Sequence, residues 1–326
     1  MLRFVDWWGA HQVALYVAAI VVGGVFGFLA PSAAPVLAAA TNPVLAILLF
    51  ATFLGVPMIE VGRSFKGARF LGTVLVVNFV LVPFVVFGLS RFVADDRGLL
   101  IGMLLALLTP CVDYVIVFTG LAGGAKARLL AATPLLMVLQ IVLLPAYLWL
   151  FAGGDAVQHI EIEPFIEAFV VVIVIPLLAA VLVQALARSH RAGRAIEHVT
   201  AGAMVPLLML TLAVVIGSQI AAVGGEAPAL LRVVPLYLAF LIVMLFVGLA
   251  AGRVIRLGVP ETRALIFSGA TRNSLVVLPL ALALPAELAI APLAVVTQTL
   301  IELMGMVLFV RLVPKVAAER REGAGE

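Results

Sequence analysis

The chain reads as ten long apolar runs separated by short polar connectors. About 18 or more mostly apolar residues suffice to cross a bilayer as a helix. On that rule the pattern predicts helices near 11–30, 43–60, 68–92, 98–121 and 129–152, then near 165–187, 200–222, 230–252, 261–285 and 289–313. Breaker residues fall between the runs, as in Pro31 to Pro35, Gly153-Gly154 and Gly224-Gly225. The connectors are too short to hold a soluble domain, so residues 1–326 are expected to form a single transmembrane domain with 314–326 as a cytoplasmic tail. The first run exceeds the roughly 7–15 residue apolar stretch of a signal peptide and is read as a membrane helix, with Trp7 and Trp8 as interfacial anchors.

Composition supports the same class. Hydrophobic residues make up 65% of the chain and charged residues 11%, with a mean hydropathy of +1.27. A water-soluble fold could not hide that much apolar surface. The net charge of +3 is carried by short basic clusters between apolar runs, with no basic aromatic stripe, so nucleic acid is not an expected partner. Placing both termini in the cytoplasm puts 16 Lys and Arg inside: Arg3; Arg63, Lys66 and Arg69; Lys126 and Arg128; Arg188, Arg191 and Arg194; Arg253, Arg256 and Arg263; Arg311, Lys315, Arg320 and Arg321. Arg91, Arg97 and Arg232 fall outside, together with Asp155, Glu161, Glu163, Glu226 and Glu287. That imbalance supports the orientation and an even number of crossings.

Ten spans divide into two sets of five, and because five is odd the second set runs through the membrane in the opposite sense. The expected fold is therefore all-α and integral to the membrane, with inverted five-helix repeats over 1–152 and 165–313. Pro134 to Gln140 in the fifth span and Pro292 to Gln298 in the tenth both fit Pro-Leu-x-x-Val-x-Gln at corresponding places. The single cysteine, Cys111, excludes an intrachain disulfide and a Cys-rich metal site. His11, His159, His190 and His198 fall at span ends or in loops, as do Glu60 and Glu167.

Within the spans three charged residues stand out: Asp113, Arg272 and Glu302. A charge at the centre of a membrane helix costs about 2.5–3.5 kcal/mol on insertion scales, so each asks for a use. The fourth span contains Thr109-Pro110-Cys111-Val112-Asp113-Tyr114. Pro110 lacks an amide hydrogen and crowds the preceding turn, which predicts a helix break and a second half-helix from about Cys111. The N-terminal end of that half-helix favours negative charge at Cys111 and Asp113; the plainer reading is a proline kink with Cys111 as a packing residue. The ninth span carries Ser268-Gly269-Ala270-Thr271-Arg272-Asn273-Ser274, a polar run with no reason to face lipid. It is the fourth span of its set, and paired interruptions at matching places mark solute sites. Arg272 could equally be a structural partner of Asp113 or Glu302.

In the tenth span Gln298 and Glu302 share a helix face. One Arg272 offsets one carboxylate, which leaves the other of Asp113 and Glu302 uncompensated unless it is protonated. Both are therefore candidates for proton coupling, Glu302 first, against the plainer reading of a permanently paired structural acid. Asn78, Gln140 and Gln184 are lone polar residues expected to bond between helices.

Thr109-Pro110-Cys111-Val112-Asp113, the interrupted ninth span and Thr299-Leu300-Ile301-Glu302 resemble the arsenite-efflux permeases of the bile acid, arsenite and riboflavin transporter superfamily, over the whole length and span count. The resemblance implies a secondary transporter of the inner cell membrane that exports trivalent arsenic, as arsenite or antimonite, by proton antiport. It implies that Cys111 and Glu302 are tied to transport. It also implies a core of spans 3 to 5 and 8 to 10, in which discontinuous helices 4 and 9 cross at their breaks, and a panel of spans 1, 2, 6 and 7. The substrate-binding candidates are then Thr109, Cys111, Asp113, Arg272 and Asn273, with Pro110 making the break.

Cys111 is the candidate soft ligand for arsenic, which is thiophilic; no cofactor or resident metal is expected. The partners are a small inorganic or anionic solute, protons and the lipid bilayer. The permeases carry an Asn-Asn pair in the ninth helix where this chain has Arg272-Asn273. The acidic and glutamine ligands of sodium-coupled relatives are missing from that helix, so sodium coupling is not expected and the Arg272 guanidinium takes the place of a bound cation. The alternative is a transporter of small organic anions with Arg272 as the clamp. No enzyme motif of the Gly-x-Gly-Asp, His-Glu-x-x-His or Gly-x-Ser-x-Gly kind is present, and no enzymatic activity is expected.

Overall fold

The computed structural model describes residues 2–55, 68–112, 114–153, 167 and 169–318. Asp113, Glu60, Arg63, Lys66, Asp155, His159, Glu161, Glu163, Arg320 and Arg321 lie outside these residues, as do the side chains of Trp7 and Trp8. Among the described residues the extended regular elements are all helices, and seven helical stretches are long and apolar enough to cross a membrane: Pro31–Gly55, Ala68–Val93, Lys126–Ala152, Val170–Ser189, Arg191–Ile220, Ala227–Val254 and Ile290–Val316. Shorter apolar helices run over Ala14–Leu29 and Arg97–Leu107.

We number the helices α1 (Leu2–Leu29), α2 (Ala34–Gly55), α3 (Ala68–Val76), α4 (Val82–Ser90), α5 (Arg97–Leu107), α6 (Tyr114–Leu121) and α7 (Lys126–Ala152), followed by α8 (Ile175–Ser189), α9 (Arg191–Gly225), α10 (Val234–Val254), α11 (Val259–Ala270), α12 (Ser274–Leu282) and α13 (Ile290–Val316). Helices α3 and α4 are joined without a break by a π-helical turn, Val77–Leu81. The sequence expectations differ from these bounds mainly at the ends. Helix α1 starts well before residue 11 and α9 before residue 200, because the backbone ladder continues past the apolar run into polar sequence that suits a membrane surface.

Two runs expected as single spans, 98–121 and 261–285, are each split: α5 stops at Leu107 before α6, and α11 stops at Ala270 before α12. None of the halves is long enough to cross a bilayer alone, which is why neither run is among the seven.

The helices sort into two packed groups. Helices α1, α2, α8 and α9 pack on one another, while α3 to α7 pack with α10 to α13; the groups meet where α2 touches α12 and α9 touches α13. In the first group α1 and α9 approach at glycines. A Cβ built on Gly23 would lie 2.5 Å from the Ala213 carbonyl oxygen, and one on Gly27 would meet Gly217 backbone. Close approach of this kind supplies the van der Waals contact that holds helices together where the surroundings are as apolar as the side chains.

The second group is pinned at both ends. At one end Arg128 pairs with Glu261, and Arg263 donates to the carbonyls of Ala122, Pro314 and Ala317, capping the ends of α6 and α13. At the other, Arg232 pairs with Asp95 at 2.6 Å and holds that carboxyl below its usual range. Arg91 donates to the Phe151 carbonyl at 2.8 Å and lies over the Phe87 ring.

Overpacking by one methyl group costs about 1–3 kcal/mol where neighbours cannot move. Gly27→Ala is therefore expected to lower the thermal midpoint of the detergent-solubilised protein. Gly24→Ala, whose Cβ would find its nearest atom at 3.7 Å, should leave it unchanged; equal midpoints would show that α1 and α9 are not in fixed contact.

Candidate functional site

The two breaks lie against each other. Pro110, between α5 and α6, and Arg272, between α11 and α12, form an isolated antiparallel bridge. The Cys111 amide donates to the Thr271 carbonyl at 3.2 Å, and the Asn273 amide donates to the Thr109 carbonyl at 2.8 Å. Pro110 has no amide hydrogen to offer and ends the α5 ladder. The polar run Thr271-Arg272-Asn273 supplies the partners that the severed backbone needs. Thr109, Cys111, Thr271, Arg272 and Asn273 are all buried, Cys111 and Arg272 completely. Two charged side chains then complete the crossing.

The guanidinium of Arg272 turns back onto the C-terminal end of its own half-helix. Its Nη2 donates to the carbonyls of Ser268 at 2.6 Å and Gly269 at 2.8 Å, and to Asn78 Oδ1 at 2.8 Å. Its Nη1 lies 3.4 Å from the carbonyl of Leu107, the last residue of α5. One cation thus serves the negative ends of both α5 and α11. The ring of Phe240, from α10, stands 5.6 Å from the guanidinium carbon. Asn78 is held in the π turn and also donates to Ser268 Oγ and the Val74 carbonyl.

Glu302, from α13, is the second charged group. Its Oε2 accepts from the Arg272 backbone amide at 2.8 Å and from Gln298 Nε2 at 2.6 Å, and its Oε1 accepts from the Tyr114 hydroxyl at 2.7 Å. Tyr114 opens α6, and Arg272 lies two residues before the first residue of α12, so the carboxylate joins the second break to α6 through one backbone amide and one side-chain hydroxyl. Ser274 donates to Gln298 Oε1 and ties α12 to α13. Among the described residues no side-chain ion pair joins Arg272 to Glu302; their bond runs through the backbone amide.

Two buried donors at the crossing, Arg272 Nε and Asn273 Nδ2, have no hydrogen-bond partner. Unpaired donors shielded from water are costly, and among the described residues none supplies their acceptor.

Of the residues expected from the sequence, Thr109, Pro110, Cys111, Arg272, Asn273 and Glu302 come together in this one buried cluster, and Asp113 lies outside the described residues. Gln184 bonds the Phe53 and Leu54 carbonyls across the first group, whereas Gln140 is buried with an unpartnered oxygen. Sequence reasoning missed Tyr114, Asn78 as the support of Arg272, and Phe240. For Tyr114 the signal was available: a hydroxyl one residue past an intramembrane carboxylate.

Apolar spans surrounding a buried, polar crossing of two severed helices define a multi-pass α-helical membrane protein. The sequence narrows the class. Residues 42–224, more than half of the chain, match the family model of the sodium bile acid symporter family, and the chain belongs to that family, whose members are transporters. The matched region contains the first break and ends before the second. No curated protein matches the chain.

Arg272→Met would leave the carbonyls of Ser268, Gly269 and Leu107 without their donor, at about 1–3 kcal/mol for each group left unsatisfied. The thermal midpoint in detergent is expected to fall sharply, with Arg272→Lys recovering only part because an ammonium cannot reproduce the planar fork. A wild-type midpoint in Arg272→Met would show that the guanidinium does not hold the helix ends.

Proposed function

We propose that this transporter exports trivalent arsenic, as arsenite and by the same chemistry antimonite, in exchange for protons. The observation that carries this reading is the buried Cys111 thiol in the bridge between two severed helices, at a crossing where the Asn273 side-chain Nδ2 is also without a partner. Trivalent arsenic is soft, and a thiolate is a soft ligand. The thiol displaces one arsenic hydroxyl as water, forming an S–As bond, and the reverse step releases the cargo. Asn273 Nδ2 is the donor assigned in this scheme to a remaining hydroxyl oxygen. A single thiol gives reversible capture, as transport requires.

The fixed charge of Arg272 does not argue against a neutral cargo, because its Nη groups are committed to helix-end carbonyls and Asn78. The guanidinium does there what a bound sodium ion would do, which supports proton rather than sodium coupling. Glu302 is the proton carrier in this scheme, with Asp113 assigned beside it from the sequence. When Glu302 is ionised, Tyr114 donates to it. When Glu302 holds a proton on Oε1, the Tyr114 hydroxyl can accept that proton's bond and donate instead to the Arg272 carbonyl, 3.1 Å away. Protonation is thereby passed to the backbone of the crossing.

The same reading takes the chain as ten crossings in two inverted repeats, 1–152 and 165–313, with both termini and the 314–326 tail in the cytoplasm and the protein in the inner cell membrane. The split of α5/α6 and of α11/α12 at matching places supports it, as does the separation of α1, α2, α8 and α9 from the remaining helices.

A second reading, transport of a small organic anion, is favoured by the unpartnered Arg272 Nε next to Asn273 Nδ2. Uptake of labelled arsenite into everted vesicles separates the two. Under the first reading a proton gradient drives uptake, and Cys111→Ser lowers it by about 10-fold or more, the scale for loss of a ligand. Glu302→Gln should abolish the response to the gradient. Equal uptake in all three proteins would dismiss the assignment, and organic-anion flux indifferent to Cys111→Ser would support the second reading.

Replacing sodium by choline is expected to leave the rate unchanged. A sodium-dependent rate would mean that the Arg272 guanidinium does not replace a coupling ion.

A further inference from the structure

A groove of about 910 Å³ runs along the outside of the second helix group, between α3 with its π turn and α10. Its walls are apolar, from Val76, Val77 and Leu81 on one side and Val247 and Val254 on the other, and its floor is lowered by Gly72, Ala250 and Ala251. Val76 and Val254 are exposed, so the groove opens sideways toward the surroundings of the helices rather than into the protein. In a bilayer those surroundings are hydrocarbon, and an apolar groove with so few polar partners takes acyl chain rather than water.

One end of the groove is chemically different. Arg69 and Arg256 line it there, and among the described residues no acidic side chain does. Arg69 donates to the Ile255 carbonyl and so spans the two walls at the mouth. Arg256 also lines a smaller adjoining cavity of about 370 Å³ together with Arg253, so basic side chains gather at this end. Arg256 is moreover the only described non-glycine residue with positive φ, at 55°. Glycine adopts that conformation at no steric cost. Arg256 is the residue after the α10 C-cap, where the Leu257 amide donates to the Gly252 carbonyl at 2.8 Å and closes a helix-ending turn that glycine would also suit.

We propose that this groove binds an anionic phospholipid, its acyl chain lying between α3 and α10 and its phosphodiester held by Arg69 and Arg256. Charge complementarity selects this occupant: the apolar trough and the guanidinia at its mouth match the two parts of such a lipid, and basic pockets between membrane helices at the end where Lys and Arg collect are the expected place for it. The acyl chain would rest on Val77 and Leu81, which bracket the π turn that holds Asn78 against Arg272.

The test is native mass spectrometry of the full-length protein in detergent, titrated with dioleoyl phosphatidylglycerol or dioleoyl phosphatidylcholine. Two variants are chosen to fold. Arg256→Gly removes a charge where glycine suits the backbone, and Gly72→Leu fills the floor at a position where an added Cβ meets nothing within 4 Å. The wild type should retain phosphatidylglycerol in preference to phosphatidylcholine. Arg256→Gly should weaken phosphatidylglycerol about fivefold, the scale of one basic side chain near an anionic surface, with phosphatidylcholine unaffected. Gly72→Leu should weaken both. Equal retention of the two lipids by the wild type, or no loss of phosphatidylglycerol in Arg256→Gly, would overturn the proposal. So would a dimer of the wild type that Gly72→Leu dissociates, since a second copy would then occupy the groove.

Discussion

A helix can be cut in the middle of a membrane only if the protein itself satisfies every backbone group the cut exposes, because hydrocarbon offers no hydrogen bonds. This chain cuts two helices at one place, and the problem is reduced by making the cuts satisfy each other: the Cys111 and Asn273 amides use the carbonyls across the gap. What remains are the helix ends, two negative and two positive. Arg272 takes the carbonyl ends of α5 and α11, and Glu302 takes the Arg272 amide in the second break and the hydroxyl of Tyr114, the first residue of α6. The two costliest side chains in the span interior are therefore the groups that make the breaks affordable.

That division explains why the surrounding packing is arranged as it is. Helix α13 carries Glu302 and remains unbroken from Ile290 to Val316, so the carboxylate is delivered by a rigid element. Gln298, one turn earlier, is bonded to both Glu302 and Ser274 and fixes the orientation of the carboxylate. Asn78 is brought to Arg272 by a π turn, a local widening of the ladder that recurs at functional sites. The bonds of Arg128 and Arg263 at one end, and those of Arg91 and Arg232 at the other, all join members of the second helix group. That group is laced internally at both surfaces, and helices α1, α2, α8 and α9 lie outside the lacing.

Much of this was legible in the sequence, for a physical reason that is specific to lipid. A polar residue in a soluble core has many explanations, but Arg272 and Glu302 within apolar runs have few. The breaks were legible for the same reason, and proline alone did not reveal them. Pro43, Pro134, Pro145, Pro206, Pro279 and Pro314 all lie inside continuous helices; among the described prolines only Pro110 marks a stop in mid-span, where Arg272 supplies the answering backbone. Helix ends were not legible, since α1 and α9 run past their apolar stretches into residues that hydropathy cannot tell from loop. Nor was the direction of Arg272. Charge arithmetic invites an ion pair with Glu302, whereas among the described residues the guanidinium bonds carbonyls, because helix ends are partial charges that a count of side chains omits.

The distinction matters for what the site can admit. A guanidinium paired to a carboxylate could be released for a ligand by protonating its partner. Among the described residues the Arg272 Nη donors are bonded to three carbonyls and an amide oxygen, groups that do not titrate. The variable part of the crossing is then confined to the other side, where Glu302, Tyr114 and the Arg272 carbonyl share one hydroxyl hydrogen between two acceptors. A fixed half and an adjustable half meeting at the same bridge is what a carrier needs if it is to change its hold on a solute without losing the fold that surrounds it.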